Sequence, residues 1–258
     1  MTEYSAPLGA PVWFDLVSSD PARAAEFYGA LFGWEAEAPN PDFAGYQNFT
    51  LGGRRVAGMH PHMAEAGGPS DVWSIYLRTD DALATQAALV EHGGIEVFPP
   101  MPVGDLGTMA YAVDPAGAMF GYWQSAAHTG FHEWGVHGAP YWFECLTLGQ
   151  PAATAFYELV FGMRPEVVPG APGNYTQLFS GDTAYAALMD ATGMLPAETP
   201  SHWRVYITVD DVAAAVARAV ELGGTCVAEP ETTPWGTLAT ITDPFGALLC
   251  LGHAPEGM

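Results

Sequence analysis

The sequence predicts an α+β fold made of four βαβββ units, and two observations support this prediction. First, the 258-residue chain repeats itself: the segment PVWFDLVSSDPARAAEFYGALFGWE, which begins at Pro11, returns from Pro140 as PYWFECLTLGQPAATAFYELVFGMR. Other segments recur in the same order at an offset of 129 or 130 residues. Second, each half contains two successions of an apolar strand, a helix and three short strands. Two tandem domains of similar structure are therefore expected.

In the first unit, the apolar residues 12–17 are predicted to form a strand and residues 21–32 a helix. Asp20 is a suitable N-cap in front of a proline, and Gly33 is a suitable stop for the helix. Because short apolar runs separated by glycine follow, the unit is predicted to continue with three strands, near residues 34–37, 46–51 and 55–63.

The second unit shows the same succession. Its segment WSIYLRTDDALATQAALVEHGG, which begins at Trp73, returns from Trp203 as WRVYITVDDVAAAVARAVELGG. The predicted elements are a strand at 72–79, a helix at 81–92, and strands near 95–98, 108–113 and 119–123. The chain is therefore predicted to divide into a first domain at 1–124, a linker at 125–138 and a second domain at 139–258.

The charge of the chain excludes several classes of function. Seven basic residues, all arginines, stand against 29 acidic residues, which gives a formal net charge of −22. Such a chain repels nucleic acids and anionic membrane surfaces, so neither is an expected partner. The absence of lysine excludes Schiff-base chemistry on a side-chain amine. Such a net charge is expected first to keep the protein soluble at high concentration, and its negative field can also concentrate cationic ligands in a cleft.

Several features favour the cytoplasm. The sequence has no apolar run of 18 residues and no basic, apolar signal segment near Met1, so neither a membrane span nor a secretory signal is expected. The spacing of the three cysteines (Cys145, Cys226 and Cys250) fits no zinc motif. They are expected to be reduced thiols in a cytoplasmic protein. The protein is expected to be a monomer or a homodimer.

The order of these motifs resembles the vicinal oxygen chelate superfamily, which includes glyoxalase I, extradiol dioxygenases and bleomycin-resistance proteins. The resemblance rests on the paired βαβββ units, on the FY pair of the first helix (Phe27-Tyr28), which recurs in the second half, and on a DPxG turn before the last strand (Asp114 and Asp243). It covers residues 10–124 and 139–253. The opening PxWFDL…FYxxLFGW resembles a tandem glyoxalase-like subgroup labelled as hydroxylases, found near antibiotic biosynthesis pathways. The resemblance implies sheets curled into half-open barrels, with a ligand and, in the enzymes, a divalent metal on the concave face.

The usual metal ligands of that superfamily are missing here. The positions that match them are occupied by Trp13, Ser74 and Gly121 in the first half and by Trp142, Arg204 and Cys250 in the second. None is a histidine or a carboxylate, so no cofactor is expected and glyoxalase I activity is disfavoured.

A displaced metal site is the alternative. His60 and His62 lie at i and i+2 of a predicted strand and could join Asp15 in a 2-His-1-carboxylate set that holds one divalent metal ion. The competing interpretation is a pair of histidines at a strand end, where Pro61 interrupts the ladder.

Strand alternation places an aromatic and sparsely polar set on the concave faces. The predicted ligand-binding residues are Trp13, Tyr76 and Trp123 in the first half and Trp142 and Tyr206 in the second. The predicted catalytic residues are Asp15, Glu144 and Arg204. A buried carboxylate there could be the counter-ion of a cationic ligand or a general acid or base. Alternatively, these carboxylates pair with arginines, and Arg204 and Glu144 neutralise each other.

Three functions follow from these observations. The first is a metal-independent protein that binds an aromatic or drug-like small molecule in an acidic, Trp-lined cleft, in secondary metabolism or resistance. The alternative is an enzyme of the same fold, a lyase, isomerase or hydroxylase-like catalyst that acts on a polyketide-like or α-carbonyl substrate. The third is a structural protein whose clefts are collapsed.

Overall fold

The computed structural model describes residues 4–171 and 174–253. The elements follow the predicted order of strands and helices, and the first half forms an N-terminal domain of two βαβββ units. Its elements are β1 (Pro11–Ser18), α1 (Pro21–Phe32), β2 (Glu35–Ala36), β3 (Gln47–Leu51), β4 (Arg54–Pro61), β5 (Val72–Thr79), α2 (Ala82–Glu91), β6 (Ile95–Val103), β7 (Gly107–Val113) and β8 (Met119–Ser125).

The second half forms a C-terminal domain with the same order of elements. These are β9 (Pro140–Thr147), α3 (Gln150–Phe161), β10 (Arg164–Val167), β11 (Thr176–Ser180), β12 (Thr183–Asp190), β13 (His202–Thr208), α4 (Val212–Glu221), β14 (Thr225–Thr233), β15 (Gly236–Thr242) and β16 (Leu248–His253). Among the described residues, no helix has the length and hydropathy needed to cross a bilayer.

The 16 strands belong to one sheet, in which each domain contributes eight strands and a parallel pairing of β13 with β8, at His202 and Met119, joins the two halves. The strand order is β2-β3-β4-β1-β5-β8-β7-β6 in the N-terminal domain and β10-β11-β12-β9-β13-β16-β15-β14 in the C-terminal domain.

The two ends of each half of the sheet approach each other: a Cβ on Gly104 would lie 3.3 Å from the ring of Phe43, and Tyr175 stacks on Trp235 at 5.7 Å. Both halves are therefore curled but not closed, and the predicted α+β fold of two tandem domains is confirmed. The exact residue limits of the domains stay a prediction.

The structure extends one strand beyond its predicted end. The segment predicted to be a strand near 95–98 continues as β6 to Val103 and includes three prolines, Pro99, Pro100 and Pro102. Proline lacks the N–H donor of a sheet ladder, so it is found in edge strands and at irregularities. Accordingly, β6 pairs only with β7, and its register shifts twice along the pair.

The two faces of the sheet differ in character because successive side chains of a strand point to opposite sides. On β1, Phe14 and Leu16 are fully buried on the face that packs against aromatic residues such as Trp34 and Trp73. Trp13 and Asp15 lie on the opposite, concave face, which forms the cleft of the domain. The first strand therefore contributes to the hydrophobic core and to the cleft at once.

Two equivalent hydrogen-bonded chains connect the domains. The indole Nε1 of Trp73 donates to the hydroxyl of Tyr28 at 3.2 Å, and that hydroxyl donates to Asp243 of the other domain at 3.0 Å. The second chain runs in the opposite direction, from Trp203 through Tyr157 to Asp114. We call these the Trp–Tyr–Asp chains. They give a structural role to the tyrosine of the FY pair and to the aspartate of the DPxG turn, because the tyrosine of one domain donates a hydrogen bond to the aspartate of the other.

Candidate functional site

The cleft of the N-terminal domain is centred on Asp15. On β1, Asp15 pairs with Gly58 of β4 and with Ser74 of β5, and Gly58 pairs in turn with Asn48 of β3. Paired residues share a face of the sheet, so these four positions form one row across the concave surface. Asp15 is only 3% exposed. The row therefore places a buried carboxyl group in the middle of the cleft.

Hydroxyl groups of tyrosines surround this carboxyl group. Tyr46 and Tyr76 each donate a hydrogen bond of 3.1 Å to Oδ2 of Asp15. The indole of Trp13 donates to the hydroxyl of Tyr46 at 2.7 Å, and the hydroxyl of Tyr76 is hydrogen-bonded to that of Tyr111. Tyr46 and Tyr111 are half-buried, whereas Trp13 and Tyr76 are buried. The two half-buried tyrosines are therefore the more accessible members of this set.

Two glycines make this arrangement possible. A Cβ on Gly121 would overlap the ring of Tyr76, and one on Gly58 would overlap the hydroxyl of Tyr46. Because neither glycine has a side chain, both tyrosines can lie flat against the sheet and reach Asp15. The aromatic cluster has thus replaced the side chain that the superfamily pattern expects at position 121.

The environment of Asp15 favours its neutral form. Burial raises the pKa of the Asp15 carboxyl group above its ordinary value, because the charged form loses its hydration. The nearby charge of His60 and the two tyrosine hydrogen bonds lower the pKa again, but only in part. None of the seven arginines, all of which lie in the described part of the chain, forms an ion pair with Asp15. The carboxylate is therefore under-compensated at neutral pH.

Replacing Asp15 with asparagine should stabilise the fold at pH 7. A carboxyl group whose pKa is raised by folding stabilises the protein when protonated, and this contribution is lost as the pH rises through the raised pKa. We expect D15N to raise the free energy of unfolding at pH 7 on the order of 1 kcal/mol. The gain should shrink as the pH is lowered from 7 towards 4, because protonation of wild-type Asp15 removes the same charge. Urea denaturation at both pH values measures this, with the exposed Asp182→Asn as the control; a less stable D15N would contradict it.

Trp123, which was predicted to bind the ligand, is covered by the linker. Its indole donates to the backbone carbonyl of His128 at 2.9 Å, and the imidazole of His128 lies edge-on against Trp13, with ring centroids 4.5 Å apart. Burial lowers the pKa of His128 to about 4, so the imidazole is neutral at pH 7. Trp13 and Trp123 are 5% and 8% exposed. Tyrosines rather than tryptophans therefore form the open wall of the cleft.

The C-terminal cleft has the same arrangement of a carboxylate and tyrosines, but it also contains a positively charged side chain, Arg204. Glu144, which is 4% exposed, occupies the place of Asp15. Its Oε2 accepts a hydrogen bond of 2.7 Å from Nε of Arg204 and one of 3.0 Å from the hydroxyl of Tyr206. The guanidinium group also lies 5.3 Å from the centre of the Tyr206 ring. The structure therefore brings Glu144, Arg204 and Tyr206 together as an ion pair with an aromatic wall.

The remaining predicted residues of this cleft are also engaged. Trp142 donates to the hydroxyl of Tyr175 at 2.9 Å. Cys250 is fully buried, and burial raises the pKa of its thiol, so it is a small apolar side chain rather than a nucleophile. In this cleft, the negative charge of the carboxylate is already neutralised within the protein.

Comparison with known proteins identifies the family of this chain. The sequence profile of the Glyoxalase/Bleomycin resistance protein/Dioxygenase superfamily matches residues 10–122 and 148–251. The chain belongs to this superfamily. It is 38% identical to the anthracycline biosynthesis protein DnrV of Streptomyces peucetius, over 96% of this chain and 94% of that protein. It is 37% identical to CFP32 of Mycobacterium bovis, over 96% of each chain. The Mn(II)-bound glyoxalase of Novosphingobium aromaticivorans has a similar structure, with a TM-score of 0.66 at 14% identity, over 96% of this chain and 83% of that one.

Superfamily members such as that glyoxalase hold a divalent metal, but the residues of this chain do not fit one. At the expected positions of the N-terminal cleft, the indole N–H of Trp13 is a hydrogen-bond donor to Tyr46 and Gly121 has no side chain. At those of the C-terminal cleft, Arg204 carries the positive charge. Metal ions need deprotonated oxygen, nitrogen or sulfur donors that converge on one point.

The alternative metal site is not formed either. His62 lies beyond the end of β4, and its Nε2 is 3.3 Å from the carbonyl oxygen of Gly68. The Nδ1 of His60 lies 3.2 Å from the carbonyl oxygen of Pro61. Within residues 4–171 and 174–253, no group of three or more His, Cys, Asp or Glu side chains is arranged to hold a metal ion. In this structure the three side chains of the displaced-site hypothesis, His60, His62 and Asp15, are therefore not arranged to hold a metal ion.

Sequence reasoning missed several residues of the clefts. Tyr46 and Tyr175 recur at an offset of 129 residues, so the internal repeat contained a signal that could have identified both. Tyr111 aligns with Thr240, and no such signal existed for it. His128 lies in the linker, where the sequence pattern gives no direction to a side chain.

Proposed function

We propose that this protein binds a planar aromatic small molecule in the cleft of the N-terminal domain, without a metal ion. The observation that carries the proposal is the difference between the two clefts: Glu144 is paired with Arg204, whereas the equivalent Asp15 is buried without an arginine partner. An ionisable group in a cleft whose pKa is shifted by burial is typical of a binding or catalytic site.

The surroundings of Asp15 indicate what the ligand looks like. Tyr46 and Tyr111 offer flat, half-buried rings on which a planar molecule can stack, and their hydroxyl groups can exchange hydrogen bonds with it. The relative DnrV is named as an anthracycline biosynthesis protein, and anthracyclines are planar, polycyclic and hydroxylated. We therefore propose a polycyclic aromatic product or intermediate of secondary metabolism as the ligand.

The neutral probe 1,8-dihydroxyanthraquinone should bind this cleft with a stoichiometry of one, measured by quenching of the tryptophan fluorescence. Tyr111→Ala removes one stacking wall without touching Asp15 and should weaken binding about tenfold, since one aromatic contact contributes on the order of 1 kcal/mol or more. Tyr175→Ala removes a half-buried tyrosine ring from the other cleft and is the control. Equal losses in both variants, or no saturable binding, would contradict the proposal.

A second candidate is an acid–base enzyme in the same cleft. It is favoured by the raised pKa of Asp15 and by the two tyrosine hydroxyls beside it. On an α-carbonyl substrate, Asp15 would take the proton from carbon, and the hydroxyl of Tyr46 would donate a hydrogen bond to the resulting enolate oxygen. Recovery of unaltered ligand after long incubation favours binding, whereas a product that D15N does not form favours the enzyme.

A further inference from the structure

The two clefts differ most at one pair of equivalent positions. Arg204 of β13 pairs with Glu144 of β9, and Ser74 of β5 pairs in the same register with Asp15 of β1. In the C-terminal cleft, the guanidinium group lies between a carboxylate and the face of Tyr206. In the N-terminal cleft, the short side chain of Ser74 supplies no positive charge at the equivalent place, and the charge of His60 compensates Asp15 only in part.

The N-terminal cleft nevertheless keeps the groups that bind a cation. The rings of Tyr76 and Tyr111 lie 5.3 Å apart at an angle of 58°, next to the carboxyl group of Asp15. A carboxylate offers about four lone-pair sites, and two tyrosine hydroxyls use only part of them. Aromatic faces attract organic cations, most strongly where water is excluded. The cleft thus keeps a carboxyl group beside tyrosine rings, as the C-terminal one does, but has Ser74 and Tyr111 where that one has Arg204 and Thr240.

We propose that the ligand of the N-terminal cleft carries a protonated amine, which takes the place that the guanidinium group of Arg204 fills in the C-terminal cleft. The inference rests on the proposed function and specifies the chemical class of its ligand. The net charge of −22 attracts such a ligand to the protein.

Two neighbouring side chains agree with an amine ligand. The amide oxygen of Asn48, in the same row as Asp15, is buried, and no donor of the described residues reaches it. An amine N–H or a hydroxyl group of the ligand would satisfy it. His60 lies parallel to Tyr46 at 6.2 Å, with its Nδ1 turned to the carbonyl oxygen of Pro61 rather than to Asp15. The charge of His60 lowers the pKa of Asp15, but its Nδ1 is engaged elsewhere, so the carboxylate keeps lone pairs for the ligand.

The test uses two ligands that differ only in charge: 1-naphthylmethylamine, which is protonated at pH 7, and neutral 1-naphthalenemethanol. Titration calorimetry of the wild type at low salt should show that the amine binds about tenfold more tightly or better, since a hydrogen bond to a charged group contributes about 1.5–3 kcal/mol. Ser74→Arg supplies the missing cation from the protein, and D15N removes the carboxylate. Both should reduce the amine-to-alcohol affinity ratio to about one. Thr183→Arg adds the same charge at an exposed site of the other domain and is the matched control.

The outcomes separate the two proposals. A preference for the amine that both cleft variants remove and T183R retains supports the inference. If both ligands bind the wild type equally, the amine inference is overturned and the proposed aromatic site stands. If neither ligand binds, the proposed function fails as well. If the preference persists in D15N, the amine lies outside this cleft and the inference is overturned, even where Ser74→Arg does not fold.

Discussion

Replacing Glu144 with glutamine should destabilise the protein by about 3 kcal/mol, the reverse of the effect expected for D15N at the equivalent position. The side chain of Arg204 is 20% exposed and has Glu144 as its ionic partner. Without that negative charge, the guanidinium group stays in the cleft uncompensated, which is the costly result of breaking a buried ion pair. Urea denaturation at pH 7 measures the difference.

A double variant shows whether the unpaired charge is the cause. Removing the cation as well, in E144Q/R204M, should recover at least half of the lost stability, because the remaining groups are neutral and of similar volume. The single variant R204M leaves Glu144 unpaired and should be as unstable as E144Q. A loss below about 0.5 kcal/mol in E144Q would show that the pair contributes no more than an exposed salt bridge.

Stability changes of opposite sign in E144Q and D15N would distinguish a structural carboxylate from a functional one. Both carboxylates occupy the same place in the fold, and both are buried. Each accepts a hydrogen bond from the hydroxyl group of a tyrosine on the neighbouring strand, Tyr76 or Tyr206. The C-terminal cleft compensates its charge within the protein, whereas the N-terminal cleft does not. A destabilising feature that the chain retains is expected where a ligand supplies the compensation.

The sequence was sufficient to predict the fold, because the internal repeat and the alternation of apolar residues are local signals. The helix predicted at 21–32 has its cap at Asp20 and its left-handed stop at Gly33, as expected. The same alternation predicted that Trp13 and Asp15 share a face. It could not predict that the linker covers Trp13 with His128, because a segment without periodicity gives no direction to its side chains.

The residues that pair across the domain interface could not be predicted from the sequence either. The FY pair and the DPxG turn are visible as motifs, but Tyr28 and its acceptor Asp243 lie 215 residues apart. Their pairing depends on how α1 packs on α4 and α2 on α3. The motif identified the residues, and only the packing of the two domains shows what they bind.

Removing the two tyrosine hydroxyls of the Trp–Tyr–Asp chains should separate the unfolding of the two domains. Tyr28→Phe leaves the indole N–H of Trp73 and one oxygen of Asp243 without their buried partner. Each such loss costs about 1–3 kcal/mol, so we expect about 2–6 kcal/mol for Y28F and as much for Y157F. The two chains share no residue, so their effects should add.

Differential scanning calorimetry distinguishes this coupling from a general loss of stability. The wild type should unfold in one transition, and Y28F/Y157F should show two, because the interface no longer ties the domains into one cooperative unit. Tyr122→Phe is the matched control: its hydroxyl is buried, and no described residue is hydrogen-bonded to it, so its removal should be neutral or stabilising. A single transition in the double variant, shifted no further than in Y122F, would show that apolar packing alone holds the domains together. Two transitions would show that the repeated FY and DPxG motifs serve the pairing of the domains.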